Sequence, residues 1–141
     1  MAEPRSDKRQ AASPAAATGA EPMSIAAVAA IDELGRYLAF CSEHPDIATW
    51  SMARKVHKLP KPAKVWDLES EASERYLWHV ARTMFVMDRV LQSAPQYEAS
   101  VRKHLGHHRD ILAEYAEHWR PECSGKLMEA VERVIAGNGD A

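Results

Sequence analysis

Several kinds of residue are scarce in this chain, and each scarcity removes a class of protein. Only two cysteines occur in 141 residues, Cys41 and Cys123, with no Cys-x-x-Cys pair. That is too few for a disulfide framework, so both are expected as reduced thiols in a cytoplasmic protein. There are 6 glycines, and none forms a glycine-rich phosphate loop, which argues against ordinary nucleotide enzymes. No apolar run approaches the roughly 20 residues needed to cross a bilayer. An excess of charge is missing as well. The formal net charge is −2, so any attraction to a polyanion has to come from a local patch. There is no alternating strand pattern, no internal repeat and no nucleophile elbow of the strand-to-helix kind.

What is present begins with a change of composition. The first 22 residues hold seven Ala and three Pro but no Ile, Leu, Val, Phe, Trp or Tyr. Such a segment buries too little apolar surface to offset the entropy of ordering, so 1–22 is expected to be a disordered tail. Arg5, Lys8 and Arg9 precede an Ala-rich stretch, but no apolar core of a signal peptide follows. Met23, directly before the first helical pattern, is a candidate alternative start. Residues 23–141 are long enough for one domain with one core.

Within that domain the apolar residues recur every three or four positions. In 24–43 the stripe is Ile25, Val28, Ile31, Leu34, Leu38 and Cys41, with Ser24 as N-cap and Pro45 as terminator. A shorter helix is expected over 46–57, with Ile47, Trp50 and Ala53 inward, before Leu59-Pro60-Lys61-Pro62 breaks the chain. The clearest seam lies in 67–93: Leu77, Val80, Met84, Met87 and Leu91. Asp67, Glu69, Glu71 and Glu74 suit the positive end of that helix dipole. A fourth helix is expected over 95–119, with Val101, Leu105, His108, Leu112, Tyr115 and Trp119 inward, and a last one over 124–136, closed by Gly137, Asn138 and Gly139. The predicted fold is all-α, a small antiparallel bundle of four to five helices.

Three features are candidates for function. Trp78 and Phe85 fall off the main seam of their helix and are the best candidates for a protein interface or a dimer seam. Met84 and Met87 fit the core, and Met52 and Met128 add adaptable apolar surface. The stretch 95–119 carries His104, His107, His108 and His118. With Glu114, and with His79 from the neighbouring helix, these are residue types that hold Zn or Fe inside bundles. The Glu-x-x-His pairs of di-iron bundles and the His-Glu-x-x-His of zinc proteases are both absent. Residues 54–64 hold Arg54, Lys55, Lys58, Lys61 and Lys64 with no acid, flanked by Trp50 and Trp66. This is a candidate contact for phosphate groups or nucleic acid, although the acids at 67–74 are expected to neutralise it. Cys123 just ahead of a helix, with His118 near in sequence, is a candidate for a lowered thiol pKa. Cys41 sits in an apolar stripe and is expected to be inert.

With no catalytic motif, the leading expectation is a non-enzymatic, cytoplasmic helical domain. It would bind another protein or a second copy of itself through an exposed aromatic and methionine surface. A metal-binding bundle and a phosphate- or nucleic-acid-binding bundle are the alternatives.

Overall fold

The computed structural model describes residues 23–137, so the tail expected over 1–22 and the last four residues lie outside it. Among the described residues there are seven α-helices and no strand, and the all-α bundle is present. The helices are α1 (Ile25–Glu43), α2 (Trp50–His57), α3 (Pro62–Val65), α4 (Glu71–Ser93), α5 (Glu98–Gly106), α6 (Arg109–Trp119) and α7 (Gly125–Ile135). Two helices exceed the expected number because a one-turn helix, Pro62–Val65, follows the Leu59–Lys61 break and because the expected fourth helix is split.

α1 starts where its cap predicts: Ser24 Oγ accepts from the Ala27 amide at 3.0 Å. Half of the expected stripe faces the core, with Leu34 buried and Ile31 and Cys41 packed partly against it, and the other half does not. Ala27, Ala30, Leu34 and Tyr37 are buried, while Ile25 is 90% and Val28 51% exposed and Leu38 also faces outward. Small side chains win because they let α1 lie close against α4, where Tyr37 Oη meets Thr83 Oγ1 at 2.7 Å. Large aliphatic side chains on that face would hold the two helices apart.

α4 organises the rest. Ser70 caps it, its hydroxyl accepting from the Ser73 amide at 3.1 Å. The helix begins later than 67 because Leu68 adopts a left-handed conformation (φ 55°). Asp67 and Glu69 therefore precede the helix, and only Glu71 and Glu74 sit in its first turn. The whole expected seam is buried, together with Tyr76, His79, Thr83, Val86 and Val90. The buried arc is thus far wider than one seam, since α1, α5 and α7 all pack on it.

The helix expected over 95–119 is broken at His107–His108. The amides of His107 and His108 bond three residues back, to the carbonyls of His104 and Leu105, which tightens the turn. The His107 carbonyl accepts instead from the Trp50 amide at 2.9 Å, satisfying a free donor at the start of α2. Gly106, a poor helix former, stands just before the break. Pro95 opens a 3₁₀ turn before α5, and a second such turn, Arg120–Glu122, leads toward α7. Ser124 caps α7 and is itself held by Asp88 of α4, which accepts from its amide at 3.0 Å and its hydroxyl at 2.5 Å.

Leu34→Ala is expected to cost about 2–5 kcal/mol, because it leaves a cavity between α1 and α4. Ile25→Ser should stay within about 0.5 kcal/mol, since that side chain is already in water. Chemical denaturation of the two variants measures both, and equal effects would contradict the observed face of α1.

Candidate functional site

Trp78 and Phe85 are two turns apart on α4 and share a face. They are 70% and 62% exposed, the largest aromatic surfaces open to solvent among the described residues. Both also line an apolar groove of about 340 Å³ beside α4. Leu77 and Met84 of α4, Trp66 after α3, Trp119 at the end of α6 and Cys123 line it too. Trp66 is held by edge contacts with Trp119 and His118, and its amide lies 3.3 Å from Tyr115 Oη. The charged lining residues are all acids, Glu74, Asp88 and Glu122, apart from the titratable His118. On the other side of the aromatic ridge a shallow hollow contains Arg82, Arg89 and Glu33 of α1, with Arg89 Nε 2.9 Å from Glu33.

The aromatic pair was legible from its position off the seam, but the groove was not. Trp66, Trp119 and Cys123 come from three separate stretches, and no periodicity within one helix brings them together. Trp66 thus belongs to this groove, and Trp50 is core, packed on Tyr76 with ring centroids 5.6 Å apart. Neither is a free base-stacking platform beside the basic segment. Of the methionines, Met84, Met87 and Met128 are buried and Met52 is 38% exposed.

The candidate metal residues divide into two groups. His79 and His108 lie in the core with ring centroids 5.4 Å apart. His104 and His107 adjoin them, 5.5 Å apart, with Tyr37 packed on both His79 and His104. Glu114 and His118 are exposed on α6, and His118 stacks edge-on against Trp66 at 4.2 Å. The break at His107–His108 puts His104 on α5 and Glu114 and His118 on α6, so the residues expected on one long helix no longer share it. Among the described residues no three His, Cys, Asp or Glu side chains are grouped so as to hold a metal ion.

The interior cluster is instead a polar seam within the core. Tyr76 Oη lies 2.7 Å from His108 Nδ1, Thr83 Oγ1 bonds the His79 carbonyl at 2.9 Å, and Cys41 Sγ is 3.9 Å from His79 Nε2. His79 Nδ1 and His108 Nε2 are buried without a hydrogen-bond partner. Burial holds the His79 pKa down, to about 4; the Ala48 backbone pulls against it, and nearby Arg82 and His44 push it down by smaller amounts. Burial also holds the His108 pKa well below the ordinary histidine value, reinforced by the neighbouring histidines. His104 and His107 are lowered by burial and then by the charges beside them. Tyr37 and Tyr76 are raised by burial and stay protonated.

The thiol expectation for Cys123 is reversed. Its pKa rises to about 11, through burial first and then the Asp88 and Glu122 carboxylates. Those effects outweigh any pull from the start of α7, and His118, which lines the same groove, forms no hydrogen bond with the thiol. Cys41 is raised by burial too, as its apolar setting suggested. Both cysteines are free.

Arg54, Lys55, Lys58, Lys61 and Lys64 are all exposed along α2, the turn after it and α3. Arg54 sits over the Trp50 ring at 6.0 Å. None of the five is ion-paired among the described residues, so the acids at 67–74 do not neutralise them by contact. His57 is paired elsewhere, 2.7 Å from Asp46.

Compared with known protein families, curated proteins and solved structures, the chain matches none.

The buried histidines imply a dependence of stability on acidity. A histidine whose folded pKa lies below its unfolded value of 6.5 takes up its proton more readily when unfolded. Stability should therefore hold above pH 6.5 and fall as pH drops toward 4. His79 alone accounts for roughly 3 kcal/mol of that fall, at about 1.4 kcal/mol per pH unit. In denaturation curves recorded across this window, His79→Gln should flatten the slope. A slope unchanged by the substitution would mean that the folded core does not resist protonation of His79.

Proposed function

We propose that this is a non-enzymatic docking domain that binds another protein surface through the Trp78–Phe85 ridge of α4. The observation that supports this is the exposure of two large aromatic side chains on one helix face. They border an apolar groove whose charged walls are acidic. Leaving two such rings in water costs the isolated domain the burial energy of each, about 1.5–3 kcal/mol. A partner that covers them recovers it. Aromatic anchors over a preformed groove are also the residues that dominate binding energy in protein interfaces. The histidine cluster contributes to this reading only as core, since His79 and His108 are buried and burial disfavours their charged forms.

Trp78→Ala with Phe85→Ala should leave the helical circular dichroism and the unfolding midpoint nearly unchanged, because both side chains are exposed. The same variant should lose the association that the parent shows, with itself or with a protein partner, in sedimentation and pull-down measurements. A variant that binds as well as the parent, or one that collapses, overturns the proposal.

A second reading is favoured by the five cations of residues 54–64 that make no ion pair among the described residues: contact with phosphate groups of a nucleic acid, independent of the aromatic ridge. Binding of a single-stranded oligonucleotide should then weaken with added salt. Lys58→Glu with Lys61→Glu should weaken it and reduce the slope of log affinity against log salt by about two, one per lost phosphate contact. Affinity that is absent in the parent, or unchanged in the variant, removes this reading.

A further inference from the structure

The solvent face of α4 carries an order of charge that bears on what covers it. Along that face stand Glu71 and Glu74, then Trp78, then Ala81 and Arg82, then Phe85, then Arg89 and Gln92. Acids lie before the aromatic pair and bases after it, with a small residue between the two rings. A two-fold axis passing between Ala81 and Arg82, perpendicular to the helix, places a second α4 antiparallel to the first. In that arrangement Trp78 faces Phe85 of the other copy, Glu74 faces Arg89, and Ala81 meets Arg82, where the small side chain allows close approach. Every pair then occurs twice, as an isologous contact requires. A parallel arrangement would set Glu74 against Glu74 and Arg89 against Arg89.

The surroundings agree with this order. Glu74 makes no ion pair among the described residues and lines the acidic groove. Arg89 is 58% exposed at its side chain although it contacts Glu33. The same operation sets Arg75 opposite Asp88, but those two are engaged internally, with Asp46 and Ser124, so Glu74 and Arg89 carry the electrostatic part. The aromatic ridge is flanked by a groove on one side and a shallow hollow on the other, and both include Trp78, Ala81 and Phe85. Ridges beside grooves are the relief by which two helices interlock.

We infer that the partner seated on the Trp78–Phe85 ridge is a second copy of this chain, joined through antiparallel α4 helices about a two-fold axis between Ala81 and Arg82. This rests on the docking reading above and names its occupant.

Light scattering and sedimentation equilibrium of the full chain, from about 1 to 100 μM, test it, with circular dichroism confirming that each variant is folded. The parent should be a dimer in this range. Glu74→Arg creates two repulsions across the axis in place of two attractions, and so does Arg89→Glu. Each should raise the dissociation constant by about tenfold or more, at low salt most of all. The variant carrying both changes exchanges the charges and should dimerise again. An equimolar mixture of the two single variants should form the heterodimer. A parent that stays monomeric at 100 μM overturns the inference. If that monomer still binds another protein, and loses it on Trp78→Ala with Phe85→Ala, the docking reading survives without it. A dimer abolished by those alanines but indifferent to the charge reversals overturns the antiparallel pairing while leaving the ridge as the contact. A dimer indifferent to the alanines overturns both.

Discussion

The structure depends on how much of α4 is buried. A helix of 23 residues in a domain of this size usually hides one stripe and presents the rest to water. Here three neighbours, α1, α5 and α7, pack on α4, and residues from Ser73 to Leu91 on most sides of it lose contact with solvent. α1, α5 and α7 reach the core by packing on α4, while α2 and α3 pack on α6, which packs in turn on α7. Asp88 of α4 holds the start of α7, and Thr83 of α4 meets Tyr37 of α1. With so many flanks occupied, one narrow strip remains open, and among its charged residues it carries two large aromatic side chains, Trp78 and Phe85. The proposed contact is therefore the part of the central helix that the chain's own helices leave uncovered.

The same crowding explains the histidines. Rings at positions 79 and 108 are brought together because α4 and the α5–α6 turn share the core, and water is excluded between them. An imidazole there is tolerated because it can remain neutral, with Tyr76 as a hydrogen-bond partner for His108. The break in the helix at His107–His108 does two things at once: it turns His108 inward and frees a carbonyl for Trp50. A cluster that looks in sequence like a row of ligands along one rod is thus, in space, a buried polar seam and a separate exposed residue, His118, that lies against Trp66.

Much of the fold was legible from the chain. The seam of α4 was read in full, because Leu77, Val80, Met84, Met87 and Leu91 leave only one inward direction. Ser24 is legible as a cap from its place before the first apolar stripe. On α1 periodicity places Leu34, Ile31 and Cys41 toward the core but fails at Ile25, Val28 and Leu38, for a definite reason. Periodicity ranks positions by how apolar they are, whereas close helix packing selects by size. Ala27 and Ala30 are poorer hydrophobes than Ile25 and Val28 and better spacers. The start of α4 was missed because Leu68 adopts a left-handed conformation that its side chain does not announce. The groove could not be read at all, since its walls come from residues far apart in the chain.

Sequence alone determined the class of fold, the central seam and the two aromatic side chains that do not fit it, because spacing of three and four residues is a local property that survives without neighbours. Tertiary structure alone decided which face of α1 is buried, where the fourth helix breaks, which histidines meet and what lies beside Trp78 and Phe85. Those outcomes depend on the sizes and hydrogen-bond needs of groups brought together from different helices, and no single stretch of chain contains that information.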